Sequence, residues 1–244
     1  MIKNLTICTP FYNEESGLEK YFLVLEKIIK NLDPNIELKI LLIDDGSNDD
    51  TLKKLYMYQS KYKNYNIKIH AHEKNYGYGR TLKNSIIISD TSHLITYDSD
   101  CVYDYSLIKK FIELVNNQNY DLVNVSYKLS KEKNLKVNFF RQFLSRGCSA
   151  FYRIIFKEIR NYNLNVFTCS YRIYNLEKVK KINLISDDFS CIAELMIKCM
   201  KKNLKIIEIA GTNFPREYGL SKMKIFKSTI SHLKNIFLIY FSKN

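Results

Sequence analysis

In LITYDSDCVYD, residues 94–104, an apolar run fit for a buried strand ends in Asp98 and Asp100, with Ser99 between them. Two carboxylates at the mouth of such a strand repel each other unless a cation or another partner shares their charge. In extended backbone, residues two apart leave the same face. Hard oxygen ligands at that spacing suit Mg²⁺ or Mn²⁺, which take one or two carboxylates and fill their shell with phosphate oxygens and water. Asp and Ser are also common in turns, and D-x-D arises often by chance, so the tripeptide alone leaves both readings open. IDDGS, residues 43–47, is a strand-end turn whose Asp44 or Asp45 has acceptors for a ribose or a base edge. PFYNE, residues 10–14, offers a ring to stack on a base and a carboxylate to bond its edge. The same residues also suit a helix N-terminus, where acidic groups are favourable. NYGYG, residues 75–79, lacks the third glycine of G-x-G-x-x-G and follows the third strand, which excludes a dinucleotide-binding reading.

These clusters need elements to hold them. Short β-type runs at 5–8, 38–43, 67–72, 93–97 and 121–127 alternate with segments such as 15–31 and 106–118, where apolar residues recur at three and four. Strand–helix–strand alternation with short joins predicts a mainly parallel sheet with helices on both faces. Ligands of such sheets bind beyond the carboxyl ends of the strands. The first strand ends in TPFYNEE, the second in DDGS and the fourth in DSD, so all these clusters fall on one rim.

Whole-chain numbers narrow the classes. A chain of 244 residues with 46% hydrophobic content can bury a real core. A net charge of +13 implies anionic partners: nucleic acid, anionic lipid or phosphorylated metabolites. The six cysteines form no CxxC or Cys/His ligand set and read as free thiols of a reducing compartment. His70, His72, His93 and His232 share no spacing with Cys or carboxylates and read as strand or surface residues. The chain runs almost at once into NLTICTP, so no signal peptide is expected, and IFLIYF at 236–241 is far short of the roughly 20 residues of a membrane span.

In order, TPFYNEE, LLIDDGSNDDT, NYGYGRTL and ITYDSD resemble the nucleotide-binding half of the inverting glycosyltransferases of family 2. SRGCSAFYRIIF, FTCSYRIYNLEKVKKI, FSCIAELMIKCMKKNLKIIEIA and FPREYGLSKM are similar to the dolichol-phosphate mannose synthase group and its polyprenyl-phosphate relatives. The resemblance runs from about residue 5 to 223 and implies an α/β, Rossmann-like GT-A fold for nucleotide-diphospho-sugar transfer. It implies that Pro10, Tyr12, Glu14 and Asp44 hold the nucleoside, with Asp45 close by and Ser99 in the donor site. Asp98 and Asp100 would bind Mg²⁺ or Mn²⁺ and, through it, the diphosphate. Arg216 and Lys222 would clamp that diphosphate as it departs, and Ser145 and Arg146 would face the lipid phosphate. Val102 stands where the family often has Gln or another polar residue, which leaves water to complete the metal shell. Tyr127 replaces an arginine common near the end of the fifth strand.

The implied reaction carries mannose or glucose from GDP-mannose or UDP-glucose to a polyprenyl or dolichyl phosphate. A phosphate monoester, with a second pKa of about 6, is already mostly ionised at neutral pH and needs no general base. A sugar hydroxyl would need one. The nearest carboxylates, Asp187 and Asp188 in ISDDFS, read as the N-cap and first turn of the next helix. Residues 1–222 are expected to form the catalytic domain and 223–244 an amphipathic tail without a transmembrane span. Within 140–160, Phe140, Phe143, Leu144, Gly147, Phe151, Ile154 and Ile155 share one helical face, opposite Arg146, Arg153, Lys157 and Arg160. The tail lines up Phe226, Ile230, Leu233 and Phe237 among Lys224, Lys227 and Lys234. Such stripes suit either a membrane interface or packing on the body of the domain. The expectation is a peripheral protein on anionic lipid at the cytoplasmic face, with a separate membrane subunit as a further partner. Two rivals stand beside it: transfer to a saccharide hydroxyl in surface-polysaccharide assembly, and a basic nucleic-acid-binding module. The second lacks any helix-turn-helix, zinc or RNP-type motif, and no nucleic-acid partner is expected.

Overall fold

The computed structural model describes residues 1–126, 147, 149–218 and 225–241, with the side chains of the last segment described from Thr229. Seven strands form one sheet: β1 (Asn4–Phe11), β2 (Glu37–Asp44), β3 (Ile67–Ala71), β4 (His93–Thr96), β5 (Leu122–Ser126), β6 (Arg172–Asn175) and β7 (Ile206–Ala210), in spatial order β3-β2-β1-β4-β6-β5-β7. All pairs are parallel except the two made by β6, which runs antiparallel between β4 and β5. The sheet is therefore mainly parallel, as expected. The expected strands are all present, shifted by a residue or a few at their ends.

Alternation sorts the core into two layers. Leu5, Ile7, Ile40 and Leu42 point to one face, under α1 (Leu18–Asn31), α2 (Thr51–Lys61) and α4 (Leu107–Gln118). Cys8, Leu41 and Ile43 point to the other, under α3 (Tyr78–Ile88) and α7 (Ser190–Lys201). Strands buried on both faces read as continuous apolar runs, which explains why KILLI shows no polar alternation. In α1 the buried set Leu18, Tyr21, Phe22, Leu25 and Ile28 keeps the three-four spacing of a one-faced helix. The five described cysteines are buried and free.

The stretch after β5 departs from its expected form. A helix over 149–155 (α5) stops there, Phe156 is extended, and Lys157–Asn161 forms a 3₁₀ turn. Lys157 and Arg160 thus do not continue the cationic helical face drawn through Arg153. Arg160 instead donates to the carbonyls of Arg153 and Ile154, and Arg153 to those of Tyr162 and Leu164. Bare carbonyls at a helix end attract cations, so these arginines serve backbone before any partner. Phe140, Phe143, Leu144 and Arg146 lie outside the described residues.

The short α6 (Leu176–Val179) follows β6, capped by the Asn175 side chain. At the C-terminus α8 (Ile225–Phe241) docks on the body: Asn235 donates to the Ser190 carbonyl, His232 meets the Tyr152 hydroxyl at 3.1 Å, and Ile236 and Ile239 are buried. Its opposite side stays exposed. Ile230, Leu233, Phe237, Leu238, Tyr240 and Phe241 all face outward, Leu233 at 53% and Phe237 at 63% exposure. No helix among the described residues is long and apolar enough to cross a membrane.

Candidate active site

Strand order reverses between β1 and β4, and the crevice beyond their carboxyl ends is where open α/β sheets bind ligands. Because β2 and β4 flank β1, the clusters at 10–14, 44–47 and 98–100 meet on that rim. The DSD residues are not extended there. β4 ends at Thr96, the amide of Cys101 bonds back to the Asp98 carbonyl, and Cys101 has φ 52°. A turn, rather than strand alternation, sets the two carboxylates, so the turn and ligand readings of this tripeptide hold together.

The two aspartates differ in surroundings. Asp98 Oδ2 accepts a 2.5 Å hydrogen bond from Ser170 Oγ, while its Oδ1 is buried without a partner. Burial, and then the charge of Asp100, push the Asp98 carboxyl above the ordinary range, with Ser170 and Arg216 opposing. Burial raises Asp100 as well, against the pull of Arg216. An orphaned buried oxygen beside a second carboxylate is a donor set a divalent cation fits. The described residues hold no group of three His, Cys, Asp or Glu ligands. Two carboxylates leave most of the shell to water and phosphate, the usual habit of Mg²⁺.

Arg216 reaches this rim from a strap that follows β7. The Phe214 amide bonds to the Val102 carbonyl at 2.7 Å, and Glu217 pairs with Lys20 of α1 at 2.7 Å. The guanidinium bonds both oxygens of Glu14 and lies 3.4 Å from Asp100 Oδ2. Glu14 is itself buried, its amide bonded to Thr51 Oγ1 at 2.8 Å. The strap thereby lays a cation across the acidic mouth. Lys222, Ser145, Arg146 and Tyr127 lie outside the described residues.

The adjacent aspartates of β2 have separate jobs. Asp44 accepts from the amide and hydroxyl of Ser47, closing the turn in which Gly46 takes φ 70°. A carboxylate has about four acceptor sites, so Asp44 keeps capacity for a ligand. Asp45 turns the other way. It accepts from the amides of Tyr76 and Gly77 at 3.0 and 2.8 Å and meets His72 Nδ1 at 2.7 Å. Its work is to fasten the 72–77 loop and the start of α3. His72, read from sequence as a plain strand residue, is the second anchor of that loop, held by Asn84 at 2.8 Å. Tyr12 is half-buried beside the rim, just past β1, and Pro10 is the penultimate residue of that strand.

α3 in turn packs on the 185–188 loop. A Cβ at Gly79 would sit 2.6 Å from the Ser186 carbonyl oxygen. Asp187 takes both arms of Arg80, at 3.0 and 2.9 Å, and Lys83 at 2.9 Å. Asp188 accepts from the Ser190 amide at 2.8 Å and the Ser231 hydroxyl at 2.5 Å. Asp188 thus serves the start of α7 as expected, whereas Asp187 clamps α3. For both, burial alone would raise the carboxyl, but these hydrogen bonds outweigh it and hold each below the ordinary range.

The model of glycosyl transferase family 2 matches residues 6–182. The chain belongs to that family. Among relatives of this glycosyltransferase, a dolichyl-phosphate beta-glucosyltransferase of Dictyostelium discoideum is 26% identical over 97% of the chain and 74% of its own length. A dolichol-phosphate mannosyltransferase of Pyrococcus furiosus is 26% identical over 96% of the chain, which spans only 62% of it. A dodecaprenyl-phosphate galacturonate synthase of Rhizobium johnstonii is 23% identical over 92% of the chain and 63% of its own length. In fold, the glycosyltransferase is similar to glucosyl-3-phosphoglycerate synthase of Mycobacterium tuberculosis, solved with Mn²⁺, UDP and its product. That likeness has a TM-score of 0.72 at 13% identity, covering 99% of this chain and 81% of that one. The GT-A architecture expected from the sequence is therefore the one observed.

Sequence reasoning missed Ser170. Nothing in TCSYRIYN marks it, because its role comes from pairing β6 against β4. It also missed Arg172, fully buried and bonded to Asn124 Oδ1 and the carbonyls of Ile192 and Phe167.

Proposed function

We propose that this family 2 glycosyltransferase moves a hexose, mannose or glucose, from a nucleoside diphosphate sugar to a polyprenyl or dolichyl phosphate, with inversion. The observation that carries the acceptor is the occupied state of the 185–188 carboxylates. All four of their oxygens accept hydrogen bonds, and both acids are held more acidic than usual. A general base works best with a pKa near the operating pH, and neither aspartate meets that. An acceptor that arrives ionised, a phosphate monoester, needs none. The names of the relatives, two dolichyl-phosphate transferases and a dodecaprenyl-phosphate synthase, support the same acceptor class.

In this reading Tyr12 stacks on the base and Asp44 accepts from the nucleoside, with Pro10 shaping the strand end. Asp98 Oδ1 and Asp100 would hold Mg²⁺ or Mn²⁺, which supplies positive charge against the diphosphate when bound. Arg216 donates to the departing nucleoside diphosphate, passing from Glu14 and Asp100 to phosphate oxygens, and Lys222 would add a second cation. Preorganised donors aimed at developing charge are the main catalytic resource for such a step. Ser145 and Arg146 would meet the acceptor phosphate. The outward apolar side of α8, with Lys234 on it, lets 223–244 rest on an anionic cytoplasmic leaflet, alone or with a membrane subunit.

The deciding experiment offers polyprenyl phosphate and a panel of saccharides as acceptors, with GDP-mannose and UDP-glucose as donors and Mn²⁺ present. Transfer to the lipid phosphate is expected, and Asp188→Asn should retain it within a few-fold. Transfer to saccharide hydroxyls alone, abolished in Asp188→Asn, would overturn the reading.

A further inference from the structure

We propose that Ser170 is a positioning residue that makes Asp98 a one-oxygen ligand for the divalent cation. This inference rests on the metal-assisted reading above. It begins with register. The antiparallel pairing of β4 with β6 ends with Thr96 opposite Arg172, and just beyond that end the Ser170 side chain meets Asp98. The Ser170 peptide is fixed, since its carbonyl accepts a short hydrogen bond from Thr96 Oγ1. Its hydroxyl, which also lies within reach of the Tyr103 side chain, sits with Ser170 Oγ 2.5 Å from Asp98 Oδ2. The residue is itself 7% exposed, so water competes little for that bond.

The consequence is an asymmetric carboxylate. A hydroxyl-to-carboxylate bond of this length is at the strong, charge-assisted end. It takes one acceptor position of Oδ2, orients the plane of the carboxyl group, and leaves Oδ1 as the buried oxygen with both positions open. Among the described residues, no other side chain donates to Asp98. A carboxylate free to rotate can grip a cation with both oxygens, a mode that Ca²⁺ accepts readily. Mg²⁺ demands near-ideal octahedral geometry, which a single oxygen from each carboxylate satisfies with room for water and phosphate. Ser170 thus selects the coordination mode and, with it, small octahedral cations over larger ones. Partners that orient a first-sphere ligand typically change metal affinity by about 10- to 100-fold when removed.

The test titrates the full chain with Mn²⁺ and, separately, Ca²⁺ in the presence of UDP or GDP. Calorimetry reads affinity, and electron paramagnetic resonance counts free Mn²⁺. In Ser170→Ala, Mn²⁺ should bind about 10- to 100-fold more weakly, Ca²⁺ should lose much less, and Ser170→Thr should restore Mn²⁺ binding. Nucleoside lacking phosphate should bind all variants equally. Unchanged Mn²⁺ affinity in Ser170→Ala, or equal losses for the two cations, overturns the inference. Should Ser170→Ala fail to fold, Ser170→Cys keeps the size, lacks a strong donor and is read by the same criteria. Asp100→Ala separates the two levels. If it weakens Mn²⁺ binding while Ser170→Ala does not, only the role of Ser170 falls. If wild type and Asp100→Ala are alike indifferent to Mn²⁺, the metal-assisted reading falls too.

Discussion

Arg216 stands among three anionic claims: Glu14, Asp100 and, under the proposed function, a diphosphate. Its Nη2 contacts both oxygens of Glu14 while its Nη1 lies 3.4 Å from Asp100 Oδ2, a spread of donors over two carboxylates that a lysine ammonium cannot copy. Arg216→Ala should lower kcat by about 100-fold, the usual loss when one donor to developing charge is removed. Arg216→Lys should recover only part, and steady-state kinetics against donor concentration measures both. Much at this scale could be read from residue types alone. Asp98, Asp100, Glu14 and Asp44 lie on one rim because carboxylates at strand ends announce themselves. Ser170 does not, since an ordinary serine acquires its meaning from a strand more than 70 residues away in the chain. Asp45 misleads for the opposite reason. It has the composition of a ligand site, yet backbone amides of the 72–77 loop claim it first.

Between elements, α3 packs backbone to backbone on the 185–188 loop. Gly79 meets the Ser186 and Asp188 carbonyl oxygens so closely that a Cβ would stand 2.6 and 2.8 Å from them. Backbone cannot yield as a flexible side chain can. Gly79→Ala should therefore cost about 1–3 kcal/mol of stability, the range for overpacking, and urea denaturation checks it. The parallel strands β1 to β5, with helices such as α1 and α4, followed from apolar runs and periodicity in the sequence. β6 and β7 went unseen; β6 is four residues long and antiparallel in a parallel neighbourhood. The basic face drawn across 153–160 failed for a local reason. The helix ends at 155, and carbonyls left open there recruit Arg160, while Arg153 turns to the carbonyls of Tyr162 and Leu164.

At the scale of the molecule, burial shapes the response to acid. Burial, then the N-terminal ammonium, lower the His93 pKa to about 4 from an ordinary 6.5. Between those values the unfolded chain binds a proton that the folded chain refuses, so stability rises with pH across the window. Burial pushes His70 and His232 the same way. Asp98 and Asp100 are raised and act in the opposite sense. Removing His93 isolates its share: relative to wild type, the Tm of His93→Asn should climb as pH falls from 6.5 towards 4, followed by scanning fluorimetry. The exposed side of α8 gives a second whole-molecule expectation. Phe237→Glu should weaken sedimentation with anionic vesicles by about tenfold or more, from the lost burial of one large apolar side chain. Binding indifferent to that change, to lipid charge and to salt would remove α8 from the membrane account.

The antiparallel insertion of β6 also governs how the chain is made. β4 pairs with β1, which precedes it in the chain, but its other edge waits for residues 172–175, and β5 likewise waits for β6 and β7. While a ribosome is still delivering that second half, β3, β2, β1 and β4 can assemble with the far edge of β4 unpaired and open to solvent. Open strand edges invite sticky encounters between nascent chains. The period of greatest vulnerability thus ends only when β6 slides into its slot.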